Sequence, residues 1–190
     1  MINQQLLQPE SIAIIGGSND VTKPGGKVLK NLLDLHFKGK LYVVNPKETK
    51  VQGLPCYNDA RDLPPTDMAI LAVPARLCPE SVKILAETKS TKAFIILSAG
   101  FHEESQEGAR LEEEIVETVN KTGGCLIGPN CIGVMTPYHT SVFTTPIPEL
   151  VPDGVDFISG SGATAVFIME TAITNGLRFS SVFSVGNSAQ

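Results

Sequence analysis

The stretch "SIAIIGGSNDVTKPGGKVLKNLLDLH", residues 11–36, decides the fold of this 190-residue chain. Residues 11–16 form a compact apolar run that ends in glycine, which is typical of a buried strand. A glycine-rich turn follows, and the apolar residues of 28–35 then recur at helical spacing on one face. The sequence therefore predicts a strand, a tight turn and an amphipathic helix, in that order.

The same alternation continues along the chain. Further apolar runs lie at 41–46, 68–74, 93–101 and 125–130, and helical periodicity separates most of them. Runs that are apolar at nearly every position are typical of parallel strands that are covered on both faces. We therefore predict an α/β fold with a parallel sheet.

Residues 137–153, "PYHTSVFTTPIPELVPD", interrupt this alternation. The prolines of this segment predict a linker. A β-α-β pattern begins again in residues 154–190, and a single such unit cannot cover both faces of its own strands. We therefore expect 154–190 to be the start of a truncated second domain, and the chain to be the front part of a longer protein.

Composition limits the partners and the location. The chain is 42% hydrophobic and 18% charged, which is typical of a globular protein. A net charge of −5 argues against a general nucleic-acid binder. We expect no membrane segment, because no apolar run reaches the ~18 residues that span a bilayer, and no secretion signal. The four cysteines are scattered, which favours reduced thiols and a cytoplasmic location.

The segment "GGSNDVTKPGGK", residues 16–27, is the first candidate site. A glycine turn and a helix start direct backbone N–H groups towards one point, which suits a phosphate. Gly25 and Gly26 allow close approach, while Lys23 and Lys27 add positive charge. The spacing matches neither the G-x-G-x-x-G nor the P-loop pattern, so a plain tight turn is the alternative.

The second predicted strand ends in Asn45, Pro46 and Lys47, where a dinucleotide-binding enzyme usually has an acid. A carboxylate there would repel a ribose that carries a phosphate. Its absence favours a phosphorylated adenosine, which means CoA or NADP. The alternative is that Asn-Pro only starts a turn.

Three further strand ends carry small or special residues: "AVPAR" (72–76), "LSAGF" (97–101) and "IGPNCIG" (127–133). The carboxyl ends of parallel strands line one edge of the sheet, and ligands bind beyond that edge. We expect a long groove that fits an extended ligand such as a pantetheine arm. Each segment alone is also consistent with an ordinary βα turn.

"SGSGAT", residues 159–164, leads into a helix and predicts a second anion site. A serine N-cap explains one of the serines but not the whole cluster. We expect His36, His102 and His139 to have no catalytic role, and His102 to be solvated. The run Glu112–Glu114 is expected to be the exposed face of its helix.

These motifs together resemble one family. "SIAIIGGSND", "KGKLYVVNPK", "GLPCYNDARDLP", "MAILAVPA", "FIILSAGF", "IGPNCIGVMTP" and "ISGSGATAV" follow one another as in the nucleoside-diphosphate-forming acyl-CoA synthetases. This family includes ADP-forming acetyl-CoA synthetases and is related to the succinyl-CoA synthetase α subunit. The resemblance implies a Rossmann-like CoA-binding domain in 1–136. It also implies that 154–190 begin a flavodoxin-like, succinyl-CoA-ligase-type domain.

The resemblance also implies the roles of individual residues. The expected CoA-binding residues are Gly16, Gly17, Ser18, Asn19, Lys23, Gly25, Gly26, Lys27, Asn45, Pro46, Lys47, Val73, Pro74, Ser98, Ala99, Gly100 and Asn130. The expected phosphate-binding helix start consists of Ser159, Ser161, Gly162, Ala163 and Thr164, and it would receive the phosphate of a phosphohistidine.

In this family the full enzyme interconverts acyl-CoA, phosphate and ADP with acid, CoA and ATP. The family's phosphohistidine loop and its nucleotide-grasp part do not match any segment here, so we expect no catalytic residue in this chain and no activity from it alone. ATP or ADP and Mg would bind through the nucleotide-grasp domain or a β subunit, and a homodimer is a further expected partner state. Two alternatives stay open: a CoA-binding regulatory module of a protein lysine acetyltransferase, and an NAD(H)-binding domain of a redox sensor.

Overall fold

Two β-sheets organise the chain in the computed structural model, which describes residues 2–190. In chain order the elements are α1 (Gln4–Leu7), β1 (Ser11–Ile15), α2 (Pro24–Asp34), β2 (Lys40–Val44), β3 (Lys50–Val51), β4 (Leu54–Tyr57), β5 (Met68–Leu71), α3 (Cys78–Thr88), β6 (Ala93–Ile96), α4 (Gln106–Lys121), β7 (Cys125–Ile127), β8 (Gly133–Thr136), β9 (His139–Val142), β10 (Leu150–Ser159), α5 (Gly162–Thr174) and β11 (Phe179–Ser184). Short 3₁₀ turns lie at Ala60–Asp62 and Ala75–Leu77.

The larger sheet has the strand order β3-β4-β2-β1-β5-β6-β7. All of its neighbouring pairs are parallel except β3 with β4. Without β3, the parallel strands follow the order 3-2-1-4-5-6 of a dinucleotide-binding fold, with the switch point between β1 and β5. The predicted α/β fold with a Rossmann-like parallel sheet is confirmed.

Alternation along the strands places apolar side chains on both faces of this sheet. On β1, Ile12 and Ile14 face one core, while Ala13 and Ile15 face the other. The first core receives α2 through Val28, Leu29 and Leu32. The second core receives α3 and α4. Because both faces are covered, the strands are apolar at nearly every position.

A short hairpin that the sequence analysis missed extends the sheet beyond β2. Gln52 and Gly53 form its turn with φ of 45° and 90°, the positive values that a two-residue hairpin turn requires. The Gln52 side chain donates hydrogen bonds to the carbonyl oxygens of Ser18, at 2.8 Å, and Gly26, at 2.7 Å. The hairpin therefore fastens the loop that follows β1.

The smaller sheet has the order β10-β11-β8-β9. The parallel pair β10 and β11, joined by α5, confirms the predicted β-α-β unit. The hairpin β8–β9 then adds to β11 in antiparallel fashion, with Val134 opposite Phe183. The segment 137–153, predicted as a linker, thus contains β9 and the first residues of β10. The division into domains 1–136 and 154–190 stays a prediction.

The smaller sheet packs on the larger one. Val134 and Phe183 belong to the same buried core as β1 and α2. Asn31, on α2, donates from Nδ2 to the carbonyl oxygen of Val142 at 2.7 Å. A third core, around Met169 on α5, lies between that helix and the smaller sheet. The β8–β9 hairpin therefore extends the sheet of the β-α-β unit and helps to bury strand faces that this unit alone would leave exposed.

The outer surface of β10 and α5 carries exposed apolar side chains. Ile158 is 66% exposed and Phe167 is 67% exposed. No helix among residues 2–190 is both long enough and apolar enough to cross a membrane.

Candidate functional site

The first turn lies at the switch point of the larger sheet. Gly16 has φ +87°, and its N–H donates to the carbonyl oxygen of Val44 at 2.9 Å. A Cβ atom on Gly25 would lie 2.1 Å from the carbonyl oxygen of Gly16, so α2 begins in direct backbone contact with the end of β1. The two glycines permit this close approach, and they place the start of α2 over the strand ends.

The start of α2 suits an anion. Lys23 is the N-cap residue and forms no side-chain cap bond in the described chain, and Pro24 occupies the first turn. The N–H groups of this turn and the helix dipole favour a negative ligand. Lys23 Nζ lies 3.8 Å from Asp20 Oδ2. Hydrogen bonds from Thr22 hold the pKa of Asp20 below its ordinary value, so this carboxylate offsets part of the lysine charge.

Asn45 ties the end of β2 to the first turn. Its Nδ2 donates to the carbonyl oxygen of Gly17 at 2.8 Å, and its Oδ1 accepts from the N–H of Lys47 at 2.9 Å. Pro46 and Lys47 are exposed beside it. The side chain of Asn45 therefore shapes the loop, while Lys47 is the accessible cation.

Asn19 is committed to the β3–β4 hairpin. Its Oδ1 accepts from the N–H of Gln52 at 2.8 Å, and its Nδ2 lies 3.1 Å from the carbonyl oxygen of Lys50 and 3.4 Å from Glu48 Oε2. Sequence reasoning missed both Gln52 and Glu48. The dipeptide Gln-Gly between two short β-rich runs was the available signal for the hairpin. Glu48 brings a carboxylate near the first loop, although β2 itself ends without one.

The ends of β5, β6 and β7 form one continuous wall. The Ser98 hydroxyl donates to the carbonyl oxygen of Val73 at 2.5 Å. The N–H of Asn130 donates to the carbonyl oxygen of Ser98 at 2.9 Å. Val73 in turn lies beside the first turn, because a Cβ on Gly16 would be 2.8 Å from Val73 Cγ1. Pro74, Ala99 and Asn130 are exposed, and Gly100 has φ +103°.

The second predicted anion site lies at the start of α5. Ser161 is the N-cap, and its Oγ accepts from the N–H of Thr164 at 3.3 Å. The Ser159 Oγ accepts from the N–H of Ser161 at 3.2 Å. Ala163 and Thr164 are exposed. A Cβ on Gly162 would lie 2.6 Å from Ile132 Cγ2. The helix start therefore packs against the residue two positions after Asn130, next to the end of the wall.

The side chain beside Asn130 is not a reactive thiol. Cys131 is 3% exposed, and its Sγ donates to the carbonyl oxygen of Ile96 at 3.3 Å. Burial raises the pKa of this thiol to about 12. A thiol with such a pKa is protonated near neutral pH and is a weak nucleophile.

The three histidines occupy different environments. His36 is exposed just after α2. His139 is buried, donates from Nε2 to the carbonyl oxygen of Leu6 at 2.8 Å, and has its Nδ1 2.7 Å from Ser141 Oγ. Burial lowers the pKa of His139 to about 4. The imidazole is therefore neutral near neutral pH, and it is inaccessible.

His102 and Glu112 form a pair at the surface. His102 is exposed, as predicted, and its Nδ1 lies 2.6 Å from Glu112 Oε1. The prediction that Glu112 lies on the exposed face of its helix was wrong. Glu112 is only 8% exposed, so it does not belong to the exposed face of α4 with Glu113 and Glu114. Its other oxygen accepts from Asn187, a contact that helical periodicity alone cannot predict.

The strand order, the glycine turn at the switch point and the wall of strand ends define a Rossmann-like nucleotide-binding fold. The chain belongs to the CoA-binding domain family, whose family model matches residues 10–137.

Full-length relatives agree with this assignment. The chain is 38% identical over 189 residues to acetate–CoA ligase [ADP-forming] I of Archaeoglobus fulgidus, covering 98% of this chain and 27% of the relative. It is 40% identical over 182 residues to acetate–CoA ligase [ADP-forming] II subunit alpha of Pyrococcus furiosus, covering 95% of this chain and 39% of the relative. The chain thus spans well under half of each relative. The resemblance to the ADP-forming acyl-CoA synthetases is confirmed.

A solved structure shares the fold over nearly the whole chain. The acetyl-coenzyme A synthetase 1 of Ca. Korarchaeum cryptofilum, in complex with phosphate and ADP, superposes with a TM-score of 0.89 at 32% identity. The match covers 98% of this chain and 40% of that chain. The similarity includes the smaller sheet as well as the larger one.

Proposed function

We propose that this chain binds coenzyme A and is the CoA-binding portion of an ADP-forming acyl-CoA synthetase. One observation carries the proposal. The glycine turn at Gly16 is connected to the helix start at Gly162 by a continuous wall through Val73, Ser98 and the loop at Asn130. An elongated ligand with a phosphorylated end fits such a groove, and a second anion site stands at its far end.

The proposed pose assigns each part of CoA to one part of the groove. The pyrophosphate lies over Gly16–Ser18 and the start of α2 at Lys23–Lys27. The adenosine end lies along Asn45–Lys47, where the exposed Lys47 meets the 3′-phosphate. The pantetheine arm follows the wall of strand ends: Val73, Pro74, Ser98, Ala99 and Gly100. The thiol then comes to rest near Asn130.

The helix start of α5 would hold the phosphate that the complete enzyme exchanges. Ser159, Ser161 and Thr164 flank Gly162 and Ala163, the first two residues of α5, and the helix dipole favours an anion there. Phosphate bound at this point lies beyond Asn130, so it would be close to the thiol end of CoA.

The complete protein would interconvert acyl-CoA, phosphate and ADP with acid, CoA and ATP through a phosphohistidine. His139 does not suit that role, because it is buried and neutral, and it belongs to the β8–β9 hairpin rather than to the groove. A nucleotide-grasp domain or β subunit would supply the binding of ATP or ADP and Mg. The exposed Ile158 and Phe167 offer a surface for such a partner or for a second copy. We also propose a cytoplasmic location, in keeping with four free cysteines.

One observation supports an NAD(H)-binding module as the alternative. The Glu48 carboxylate lies 3.4 Å from Asn19 Nδ2, near the loop where a dinucleotide ribose would sit. It follows Asn45 by three residues, so it lies outside the strand end that usually carries the ribose-binding acid. CoA remains the better fit, because Lys47 stands nearer that strand end.

Isothermal titration calorimetry with CoA, NAD and dephospho-CoA tests the proposal. We expect CoA to bind more tightly than NAD. Dephospho-CoA should bind slightly more weakly than CoA, by roughly 0–1 kcal/mol, because an exposed ion pair with Lys47 is screened by solvent. Tighter binding of NAD than of CoA would refute the assignment.

A second measurement tests whether this chain alone lacks the phosphoryl-transfer activity of the complete enzyme. The chain incubated with radiolabelled ATP, acetate and CoA should form no acetyl-CoA and should acquire no label, since a phosphoryl relay needs a histidine at the anion site. Labelling of His36, His102 or His139 would contradict this expectation. Addition of the complementary nucleotide-grasp subunit of a related split synthetase serves as the positive control for the assay mixture.

A further inference from the structure

Asn187 directly follows Gly186, after the end of β11, and contacts three segments of the larger sheet's surroundings: the loop after β6, helix α4 and the loop after β7. Its Nδ2 donates to Glu103 Oε2, and it also donates to Glu112 Oε2 at 3.0 Å. Its Oδ1 accepts from Asn130 Nδ2 at 3.4 Å. A side-chain amide has two N–H donors and a carbonyl acceptor. Both donors and the acceptor of Asn187 are therefore engaged.

Glu103 holds the loop that follows β6. Its Oε1 accepts from the N–H of Gly100 at 2.7 Å and from the N–H of Phe101 at 3.2 Å. Burial raises the pKa of Glu103, but hydrogen bonds from Asn187, Gly100 and Phe101 outweigh that effect and leave the pKa below its ordinary value. The carboxylate is ionised near neutral pH and acts only as an acceptor.

The loop that Glu103 holds is part of the groove wall. At one end, Ser98 bonds to Val73 and Asn130. At the other end, Gly100 adopts φ +103°, and a Cβ on it would lie 3.2 Å from Ala75 Cβ. Phe101 is fully buried and anchors the loop below. Between these anchors, the Glu103 carboxylate is the only acceptor within residues 2–190 for the two consecutive N–H groups.

We propose that Glu103 and Asn187 are positioning residues for the pantetheine end of CoA, an inference that rests on the proposed function. Glu103 fixes the path of residues 98–101 through the N–H groups of Gly100 and Phe101. Asn187 holds Glu103 and Asn130 at a fixed distance from each other. The loop after β6 and the loop after β7, which both belong to the wall, therefore keep a constant separation. Asn187, which lies just beyond β11 of the smaller sheet, thereby helps to shape a groove formed mainly by the larger sheet.

The adenosine end of the proposed groove lies along the same edge of the sheet but across the switch point, at the ends of β1 and β2. It depends on Gly16, Asn45 and Gln52, which make no contact with Glu103 or Asn187 among the hydrogen bonds of residues 2–190. Loss of the Glu103–Asn187 pair should therefore weaken the binding of the pantetheine arm and leave the binding of the adenosine end unchanged. A general loss of folding would weaken both.

Calorimetry with two ligands separates these effects. CoA contains the whole molecule, whereas adenosine 3′,5′-bisphosphate contains only the phosphorylated adenosine end. We expect Glu103→Gln and Asn187→Ala each to weaken CoA binding about 5-fold, the net worth of roughly one hydrogen bond. The affinity for adenosine 3′,5′-bisphosphate should stay at the level of the unaltered chain. Glu113→Gln, an exposed glutamate on the same helix as Glu112, is the matched control and should change neither affinity.

The outcomes distinguish the inference from the proposed function. If the unaltered chain binds no CoA, the proposed function fails and the inference fails with it. If the chain binds CoA and both variants bind CoA as tightly, or lose both ligands equally, only the inference is overturned. Should Glu103→Gln not fold, Asn187→Ala still decides, and faster amide exchange of Gly100 in that variant is the expected supporting result.

Discussion

Gly25→Ala is the sharpest test of how the first turn is built. A Cβ at this position would lie 2.1 Å from the carbonyl oxygen of Gly16 and 2.9 Å from its carbon. Ordinary contact begins near 3.4 Å, so the start of α2 must move by about 1.3 Å. Both clashing atoms belong to the backbone and cannot rotate away. The helix would thus be lifted from the end of β1.

The magnitude follows from two opposing effects. Overpacking of a tight site costs about 3 kcal/mol at the upper end of its usual range, and backbone atoms justify that end. Alanine is a better helix former than glycine by about 1 kcal/mol. The net destabilisation is therefore about 2 kcal/mol, which lowers Tm by about 4–8 °C in a chain of this size. The displaced N–H groups should weaken CoA binding roughly 10-fold or more, since hydrogen bonds to charged groups contribute about 1.5–3 kcal/mol.

Differential scanning calorimetry and titration with CoA measure the two effects. Gly160→Ala is the matched control, because a Cβ there meets no atom within 4 Å. It should leave Tm and CoA affinity close to those of the unaltered chain. The reasoning would be refuted if Gly25→Ala and Gly160→Ala melted at the same temperature and bound CoA equally well.

Other perturbations give separate outcomes. Lys47→Ala should reduce CoA affinity by roughly 0–1 kcal/mol and leave dephospho-CoA affinity unchanged. Lys38 is exposed just before β2, and the control Lys38→Ala should change neither affinity. Titrations in which Lys47→Ala lowers both affinities equally would contradict this expectation. The folded-state pKa of His139 is about 4 against an ordinary 6.5, because burial favours the neutral imidazole. The contribution of neutral His139 to the free energy of unfolding is therefore complete above pH 6.5 and is lost as the pH falls towards 4. Urea titrations should show about 2 kcal/mol less stability at pH 5 than at pH 6.5 from this group, and His139→Gln should flatten that segment of the curve. Burial raises the pKa of Cys78 and Cys131 to about 12, so iodoacetamide followed by mass spectrometry should label the half-buried Cys56 first; early labelling of Cys131 would count against the structure.

The larger sheet could be predicted because its signals are local. Strands such as β1 and β6 are short apolar runs, and helices such as α2 and α4 show periodicity within one segment. The β8–β9 hairpin could not be predicted in the same way. It owes its place to pairing with β11, some fifty residues further along the chain. The prolines of 137–153 suggested a linker, although Pro137 lies in the turn between β8 and β9.

The candidate site divides in a similar manner. Its backbone parts, the glycine turn at Gly16 and the helix start at Gly162, can be predicted because each is encoded by a run of consecutive residues. The side chains that hold those parts in place cannot be predicted in this way. Gln52 reaches back 34 residues to Ser18, and Asn187 reaches back 84 residues to Glu103. Such ties depend on the tertiary arrangement, and a single sequence carries no periodic signal for them.

The loop 128–132 packs against both sheets. A Cβ on Gly186, after β11, would lie 2.2 Å from the carbonyl oxygen of Pro129, and one on Gly162, at the start of α5, would lie 2.6 Å from Ile132 Cγ2. The loop is thus held between the end of one strand and the beginning of one helix of the smaller sheet, while the N–H of Asn130 bonds to Ser98 on the larger sheet. Close-packed contacts of this kind transmit displacement rather than absorb it. The thiol end of the proposed CoA groove and the proposed phosphate site therefore keep a fixed relation, which a transfer of chemistry between them requires.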